Sequence, residues 1–468
     1  MTARVSRRNF LKTAAVGAAA ASFPVPALLA GESPNSKLNT VVIGCANQGF
    51  ASLGAAVGEH LVALCDIDES HFGRAEKYVA EKFPDAKMAG YKRFYDYRKM
   101  FDEIHKDIDA VFIAAPDHHH ASAAMRAIKL GKGVYVEKPL AHTIAECRAL
   151  HAAAKQYKVV TQLGNQGHSG EGIRRLCEYI WAGAIGNVLE THSWAPTGRG
   201  GVGGRLPTKP VPAGIHWDEW IGPAPFREYH DELHPLMWRS WWDFGDGSVG
   251  DWGCHNLDGP FTALKLSTPE KVEAVQQEGG SDERYPLVNS VRWDFPARGD
   301  MPPVKVFWYD GYRGFDAEKK DDNPVEAQKA QNRPPVVLEL EKKYARDLKN
   351  GGTIYVGDKG IMYTGNYAGS PRIIPEEKHK AFPVPEKKLP RVKGTHQTDF
   401  LRAIREGYQP SSTFDYAAPF SEVVLLGCLA ERAGLGKPIQ WDAAAMKVVN
   451  IPELNALVDR PRRKGWEL

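Results

Sequence analysis

Short apolar runs alternate with helical patterns from Leu38 to Leu163, and this alternation constrains the fold more than any other feature of the chain. Strands that are buried on both faces read as continuous apolar runs, and a helix after each strand is typical of parallel sheets covered on both sides. The pattern therefore predicts a doubly wound α/β domain. The predicted strands are Thr40–Ile43, Leu61–Cys65, Ala110–Ala114, Gly133–Val136 and Val159–Leu163.

The turn after the first predicted strand is similar to a dinucleotide-binding fingerprint. Gly44 opens this turn, Gly49 closes it, and a helical pattern follows. The first glycine permits a tight turn, the last permits close packing of helix on strand, and the helix N-terminus offers N–H groups to a pyrophosphate. Ala46 departs from the fingerprint, because its methyl group stands where a second glycine is usual. The alternative is a structural turn without a ligand. The expected binding residues are Gly44, Ala46, Asn47, Gln48 and Gly49.

An acidic residue follows at the place where it bears on the choice of cofactor. Asp66 ends the second predicted strand, 17 positions after Gly49. A carboxylate there accepts a hydrogen bond from a ribose 2′-OH and repels a 2′-phosphate. The sequence therefore predicts NAD as the cofactor in preference to NADP.

A Glu-Lys-Pro motif makes the interpretation specific. Glu137-Lys138-Pro139 follows the fourth predicted strand, and Ala115-Pro116-Asp117-His118-His119-His120 precedes it. Together they resemble the Gfo/Idh/MocA family, named after glucose–fructose oxidoreductase and inositol dehydrogenase. Further segments with this resemblance are 217–225, 238–245, 250–258 and 396–400.

The resemblance implies a two-domain α/β architecture. A Rossmann NAD-binding domain is expected over 34–160. A C-terminal α/β domain over 161–468 is expected to carry the substrate site and a large, mostly antiparallel sheet. Members of the family often form homo-oligomers through that sheet, so we expect one here.

The resemblance also implies the site residues. The family's lysine falls on Lys138, and its aspartate and histidine fall on Asp251 and His255. These three are the candidate catalytic residues. The remaining expectations are cofactor contacts from Pro116, His120, Glu137 and Lys138, and substrate contacts from Trp238, Arg239 and Asp258.

Oxidation of a sugar hydroxyl needs a base for the O–H proton and an acceptor for the hydride. His255 is the candidate base, and Lys138 can stabilise negative charge on the reacting oxygen. Asp251 lies four residues before His255 and Asp258 three after it, so on a helix either carboxylate can orient the imidazole. Because Pro260 has no N–H, we expect this helix to kink or to end early.

Three functions fit these residues. The main prediction is an oxidoreductase that transfers a hydride between a sugar or glycoside carbon and a tightly bound nicotinamide cofactor. A glycosidase of the same fold, which oxidises its substrate transiently, eliminates the substituent, adds water and reduces again, would use the same Lys138 and His255. The third possibility is a non-catalytic sugar-binding protein.

Aromatic residues and a glycine-rich loop mark the middle of the chain. Seven of the 12 tryptophans fall between Trp194 and Trp252, where they either face a sugar ring or pack in the core. Arg199 lies among five glycines within residues 198–204, in a loop that either covers the substrate or reaches a neighbouring subunit.

Two histidine-rich segments imitate metal sites, and we predict that no metal binds. His118-His119-His120 starts a predicted helix. The segment 230–234 has the spacing of a zincin, but its second residue is Asp231 and Pro235 follows at once, which argues against a long zinc-binding helix.

The N-terminus is typical of an export signal. Residues 1–33 combine the pair Arg7-Arg8 with a weakly apolar run that is too short to span a bilayer, and they resemble a twin-arginine signal. We therefore expect recognition by the export machinery through Arg7 and Arg8, a periplasmic or secreted protein, and no membrane span after cleavage.

Charge and cysteine content add two further expectations. The net charge is +3, and residues 1–30 hold four basic residues and no acid, so the remainder is nearly neutral. This composition gives no case for a nucleic-acid partner. The six cysteines contain no Cys-x-x-Cys pair, and we expect them to be reduced and buried.

Overall fold

The computed structural model describes residues 37–86, 88, 90–312, 331–345, 347–348 and 351–468. The signal peptide predicted over 1–33, including Arg7 and Arg8, lies outside these residues.

The first sheet has six parallel strands in the order β3-β2-β1-β4-β5-β6, which confirms the predicted Rossmann domain. Only β3 is not predicted, because its three residues include two basic side chains and no apolar run. The strands are β1 (Asn39–Ile43), β2 (His60–Cys65), β3 (Lys92–Phe94), β4 (Ala110–Ile113), β5 (Gly133–Glu137) and β6 (Thr161–Gly164). The helices are α1 (Gly49–Ala56), α2 (Ser70–Lys82), α3 (Tyr97–Ile104), α4 (Asp117–Lys129) and α5 (Ile144–Tyr157).

Local sequence sets where these elements begin and end. Helix α5 begins after Thr143, whose side chain accepts a hydrogen bond from the N–H of Glu146 while the Glu146 carboxylate accepts one from the N–H of Thr143. The last strand, β6, pairs with β5. The first sheet therefore extends to Gly164, past the boundary predicted at residue 160.

The second sheet has seven strands in the order β13-β12-β11-β7-β10-β9-β8. All neighbours are antiparallel except β7 and β10, which confirms the predicted mostly antiparallel sheet. Its strands are β7 (Val188–Ala195), β8 (Lys271–Glu278), β9 (Val288–Phe295), β10 (Val304–Gly311), β11 (Gly352–Gly357), β12 (Ile361–Thr364) and β13 (Arg372–Ile374). The helices before and within this sheet are α6 (Glu171–Trp181), α7 (Trp217–Ile221), α8 (Cys254–Asn256), α9 (Asp258–Ala263), α10 (Pro335–Tyr344) and α11 (Glu376–Ala381).

The segment that bears His255 is helical but interrupted. A π-helical turn over Val249–Gly253 leads into α8, and Leu257 separates α8 from α9. The interruption agrees with the expectation from Pro260, which cannot donate to the carbonyl of Asn256. That carbonyl instead accepts hydrogen bonds from Ser193 Oγ at 3.3 Å and Thr353 Oγ1 at 3.1 Å. The second sheet thus stabilises the break and fixes the helix position.

The end of the chain packs back onto both halves. Helix α13 is largely buried and contacts α5 on one side and β8 and β9 on the other. Trp293, at 0% exposure, donates through Nε1 to the carbonyl of Val423 at 2.9 Å. The C-terminal elements are α12 (His396–Glu406), α13 (Phe414–Ala433), β14 (Trp441–Asp442), β15 (Lys447–Val448) and α14 (Asn455–Val458).

All six cysteines are buried and unpaired, as predicted. Within the described ranges, no helix combines the length and apolarity needed to cross a membrane.

Two glycines test the packing of this core. A Cβ on Gly427 of α13 would lie 2.3 Å from the ring of buried Trp293, whereas a Cβ on Gly73 of α2 would meet nothing within 4 Å. We expect Gly427→Ala to lower the free energy of unfolding by about 1–3 kcal/mol through overpacking. The matched Gly73→Ala should raise it by about 0.5–1 kcal/mol, because alanine is the better helix former. Urea denaturation of both variants checks this pair, and equal effects would contradict the packing argument.

Candidate active site

A cavity of about 380 Å³ lies where the carboxyl ends of the first sheet meet the helical segment around His255. Ligands of open α/β sheets bind at this edge, and the volume falls within the range for small-molecule sites. Thirteen of the predicted residues line the cavity: Gly44, Ala46, Asn47, Gln48, Asp66, Pro116, His120, Glu137, Lys138, Trp238, Arg239, Asp251 and His255.

The turn after β1 is shaped for close approach. Gly44 has a φ of +79°, and a Cβ there would lie 2.5 Å from the carbonyl oxygen of Ala114. A Cβ on Gly49 would lie 1.9 Å from the carbonyl oxygen of Gly44. Gly49 therefore serves the packing of α1 against the turn and does not line the cavity. The N–H groups over residues 49–51, in the first turn of α1, already donate to the carbonyls over residues 46–48. The donors suited to a pyrophosphate at the N-terminus of α1 are therefore the main-chain N–H groups of the turn itself, whose residues 46–48 line the cavity.

Asp66 is held in place by its own loop. Its Oδ2 accepts a hydrogen bond from the N–H of Cys45 at 2.9 Å, and its Oδ1 accepts one from the N–H of Asp68 at 3.1 Å. His71 Nδ1 lies 3.0 Å from the same Oδ1. Burial opposes protonation of His71, but the neighbouring Asp66 raises the pKa of this imidazole. The carboxylate is therefore fixed at the end of β2, on the cavity wall.

Lys138 and Asp251 form an ion pair between the two halves of the molecule. The Lys138 ammonium donates to the Asp251 carboxylate and, at 2.9 Å, to the Asp251 carbonyl. Burial favours neutral forms of both groups, yet Asp251 raises the pKa of Lys138, and Lys138 with Arg239 and Arg199 holds the pKa of Asp251 well below its usual range. Both groups are therefore charged at neutral pH.

His255 is a neutral imidazole next to that pair. Burial lowers its pKa well below the usual value, and the charge of Lys138 lowers it further. Its Nδ1 is buried without a hydrogen-bond partner among the described residues. The ring packs against Tyr367, with 4.5 Å between ring centroids. The imidazole is therefore in the state that a general base requires.

The expectation that a carboxylate orients His255 is wrong for the described structure. Asp251 is bound by Lys138 and Arg199. Asp258 does not line the cavity, and its carboxylate lies 2.8 Å from His168 Nδ1 and accepts from Asn165 at 3.1 Å. The π-helical turn and the break at Leu257 change the helical phase on either side of His255, which the simple spacing rule does not anticipate. Asp258 thus lies outside the cavity lining, and its contact with a substrate stays a prediction.

Glu137 and His120 support the loop that carries Lys138. Burial raises the pKa of Glu137 to about 7, while Gln166 donates to its carboxylate at 3.0 Å. His120 lies with Nδ1 2.7 Å from the carbonyl oxygen of Pro139 and Nε2 2.9 Å from that of Ala115. These contacts fix the main chain on both sides of the Glu-Lys-Pro motif.

The tryptophans divide between cavity and core. Trp238 lines the cavity beneath the guanidinium of Arg239, whose central carbon lies 4.1 Å from the ring centroid. Trp217 and Trp241 do not line the cavity and pack in a buried cluster to which Trp238 also belongs. This region therefore contains tryptophans of both kinds, some that line the cavity and some that pack in the core.

Several residues of the cavity lining were not predicted from the sequence, among them Tyr367 and Asp117. Tyr367 has a φ of +61° and donates its N–H to Asn256 Oδ1 at 3.2 Å, but no motif marks the short turn it occupies. Asp117 belongs to the motif over residues 115–120, but no role in the site was predicted for it. Burial raises its pKa, and the N–H of Asp246 donates to its carboxylate at 3.2 Å.

Histidine side chains of both histidine-rich segments contact other groups of the protein. His118 has Nδ1 3.1 Å from the carbonyl oxygen of Phe244, and His119 has Nε2 2.8 Å from that of Trp220. The ligand atoms of Asp68, His71 and His234 lie within 4.8 Å of one another. Asp68 Oδ2 lies 3.4 Å from His71 and 3.3 Å from His234, so direct contacts connect these three.

Comparison with protein families gives three matches. Residues 38–165 match the oxidoreductase family with an NAD-binding Rossmann fold (GFO_IDH_MocA), and residues 192–281 match the C-terminal α/β domain of the oxidoreductase family. Residues 4–24 match the twin-arginine translocation signal sequence.

Individual relatives match parts of the chain. A levoglucosan dehydrogenase of Pseudarthrobacter phenanthrenivorans is 29% identical over 223 residues, covering 44% of this chain and 48% of that enzyme. A glycosyl hydrolase family 109 protein of Bacteroides fragilis is 36% identical over 181 residues, covering 36% and 38%. The chain thus spans about half of these relatives or less. The structure of GenD2 from gentamicin A biosynthesis in complex with NAD shares the fold, with a TM-score of 0.55, 17% identity, and coverage of 88% of this chain and 99% of that chain.

The close approach at Gly44 yields a prediction about nucleotide binding. We expect Gly44→Ala to weaken NADH binding at least about tenfold, because the new Cβ must displace the main chain at Ala114. Gly131→Ala is the matched control: its φ of +72° imposes similar backbone strain, but its Cβ would meet nothing within 4 Å. Titration of NADH fluorescence measures both, and equal loss of affinity would assign the effect to backbone strain alone.

Proposed function

This chain belongs to the Gfo/Idh/MocA oxidoreductase family, and we propose that it transfers a hydride between NAD and a hydroxyl-bearing carbon of a sugar or glycoside. Its twin-arginine signal indicates export to the periplasm or beyond. The observation that carries the proposal is the position of His255 and of the Lys138–Asp251 ion pair on the wall of one cavity, at the carboxyl edge of an NAD-binding sheet. Assembly into a homo-oligomer stays a prediction.

The residues of the first sheet fit a dinucleotide. Gly44 and the N-terminus of α1 suit the pyrophosphate, Asp66 suits the ribose diol, and His120 and Glu137 lie at the opposite part of the cavity lining, next to Lys138. When bound, NAD supplies the hydride acceptor. Asp66 would repel a 2′-phosphate, so we propose NAD over NADP.

The chain's own residues handle the proton and the oxygen. His255 takes the O–H proton as the carbon gives up its hydride with two electrons and becomes a carbonyl. Lys138, fixed by Asp251, donates a hydrogen bond to the oxygen as negative charge develops there. Tyr367 offers an aromatic face to the sugar ring from the cavity wall, whereas the ring of Trp238 supports Arg239 from beneath.

A hydrolase that oxidises its substrate only transiently is the second candidate. The matched glycosyl hydrolase family 109 protein of Bacteroides fragilis favours it. Lys138 and His255 would serve both reactions, since both begin with removal of the O–H proton.

One assay separates these functions. The purified protein is mixed with NAD⁺ or NADP⁺ and with a panel of free sugars and nitrophenyl glycosides, while nicotinamide absorbance and released phenol are followed together. We expect stoichiometric reduction of NAD⁺, which persists until a second carbonyl compound is added. Catalytic phenol release with no net reduction would establish the hydrolase instead. Sugar binding with neither signal would identify a non-catalytic protein.

The lowered pKa of His255 predicts the pH profile and the effect of its removal. The neutral imidazole is the active form, so kcat/KM should stay level through neutral pH and fall only on the acid side, with its inflection below about 6.5. His255→Asn should lower kcat by about 10²- to 10⁴-fold and leave NADH binding intact. His151→Asn, outside the cavity, is the control. An unchanged rate in His255→Asn would remove His255 from the mechanism.

A further inference from the structure

Three cations surround one carboxylate at the end of the cavity where His255 lies. Besides Lys138, Arg199 donates through Nε to Asp251 Oδ2 at 3.0 Å, and Arg239 Nε lies 3.7 Å from the same oxygen. Lys138 already pairs with both the carboxylate and the carbonyl of Asp251. One positive charge balances the charge of the Asp251 carboxylate. The cluster of three cations around Asp251 therefore keeps an excess of positive charge.

The two arginines keep donors available toward the cavity. In the described part of the chain, Arg199 uses only Nε in a side-chain hydrogen bond. Arg239 makes only a long contact, from Nη1 to the carbonyl of Leu236 at 3.4 Å. Both line the cavity, and their side chains remain 27% and 20% exposed. A guanidinium with a free edge is suited to bidentate binding of an oxyanion.

The arginines are positioned by their surroundings and are not on freely moving loops. Arg199 donates its N–H to Ser248 Oγ at 3.0 Å, and a Cβ on neighbouring Gly200 would lie 1.8 Å from the carbonyl oxygen of Pro286. Arg239 stacks on the buried ring of Trp238. The glycine-rich loop therefore brings Arg199 to the cavity wall.

Neighbouring acids and the cofactor do not neutralise the excess positive charge of this cluster. Asp117 and Glu137 also line the cavity and interact with the charge of Lys138, and burial raises the pKa of each, which weakens their negative charge. The pyrophosphate of a dinucleotide has its own place at the turn after Gly44. The arginines contact Asp251, on the segment that bears His255, and so belong to the substrate end.

We propose that the substrate of this site is an anionic sugar, whose carboxylate or sulfate group is bound by Arg199 and Arg239. This inference rests on the proposed function and deepens it. Lys138 and His255 act on the hydroxyl, while the two guanidinium groups bind the oxyanion and set the orientation of the ring.

The test uses sugar pairs that differ in charge. Methyl glycosides of glucuronic, galacturonic and mannuronic acid are compared with those of the parent hexoses, and glucose 6-sulfate with glucose, for NAD⁺ reduction by the purified protein. We expect the anionic member of at least one pair to have a kcat/KM about 10- to 100-fold higher, because the free energy of a hydrogen bond to a charged group corresponds to a ratio of this size. The uronate and sulfate arms tell the two oxyanions apart.

Calorimetric titration of the NADH-saturated protein with the same pairs decides the inference independently of turnover. Tighter binding of an anionic member supports it even if no sugar reduces NAD⁺, in which case the proposed function alone fails. Equal or weaker binding and turnover of the anionic members in every pair would overturn it. Turnover of neutral sugars in that case would leave the proposed function standing.

Two variants separate substrate binding from a structural role. Arg239→Gln and Arg199→Gln should each reduce the preference for the anionic sugar about tenfold, mainly through KM. Arg372→Gln on β13, outside the cavity, is the matched control. If the arginines serve only to balance Asp251, both variants will lower turnover of anionic and neutral sugars alike, and that result would count against the proposal.

Discussion

The ion pair between Lys138 and Asp251 is the interaction on which the site depends. It connects the end of β5 to the helical segment of the second half, and its side chains are only 9% and 10% exposed. Loss of the Asp251 carboxylate would leave the Lys138 ammonium as an uncompensated buried charge, at a cost of about 3–5 kcal/mol. The pair therefore determines how the two halves of the cavity meet, and with that the place of His255.

The same pair gives the cavity its electrical polarity. The part formed by β1 and β2 offers main-chain N–H groups and the carboxylate of Asp66, whereas the part formed by the second half offers cations gathered around Asp251. A neutral imidazole persists between them because burial and the charge of Lys138 both disfavour its protonation. The Lys138–Asp251 ion pair therefore contributes both to the distribution of charge in the cavity and to the low pKa of His255.

The first sheet and the motif residues are predictable because each depends on local sequence. A buried parallel strand needs an apolar run, and the turn after β1 needs glycine where Cβ would meet Ala114. The fate of Asp258 is not predictable in this way. Its partners, His168 and Asn165, lie some 90 positions away in the chain, and the helical phase that separates it from His255 depends on hydroxyl groups of Ser193 and Thr353 on the second sheet. The position of Arg199 cannot be derived from local sequence for a similar reason, since the approach of Gly200 to Pro286 is a long-range contact.

The buried thiols bear on the life of an exported protein. All six cysteines are enclosed and unpaired, and burial raises the pKa of those at 65, 147 and 428 well above the usual value. Only a thiolate that oxidants can reach is readily oxidised. The redox potential on either side of the membrane therefore does not change the thiols of the folded chain. After export, their rate of oxidation depends on how often the native structure opens.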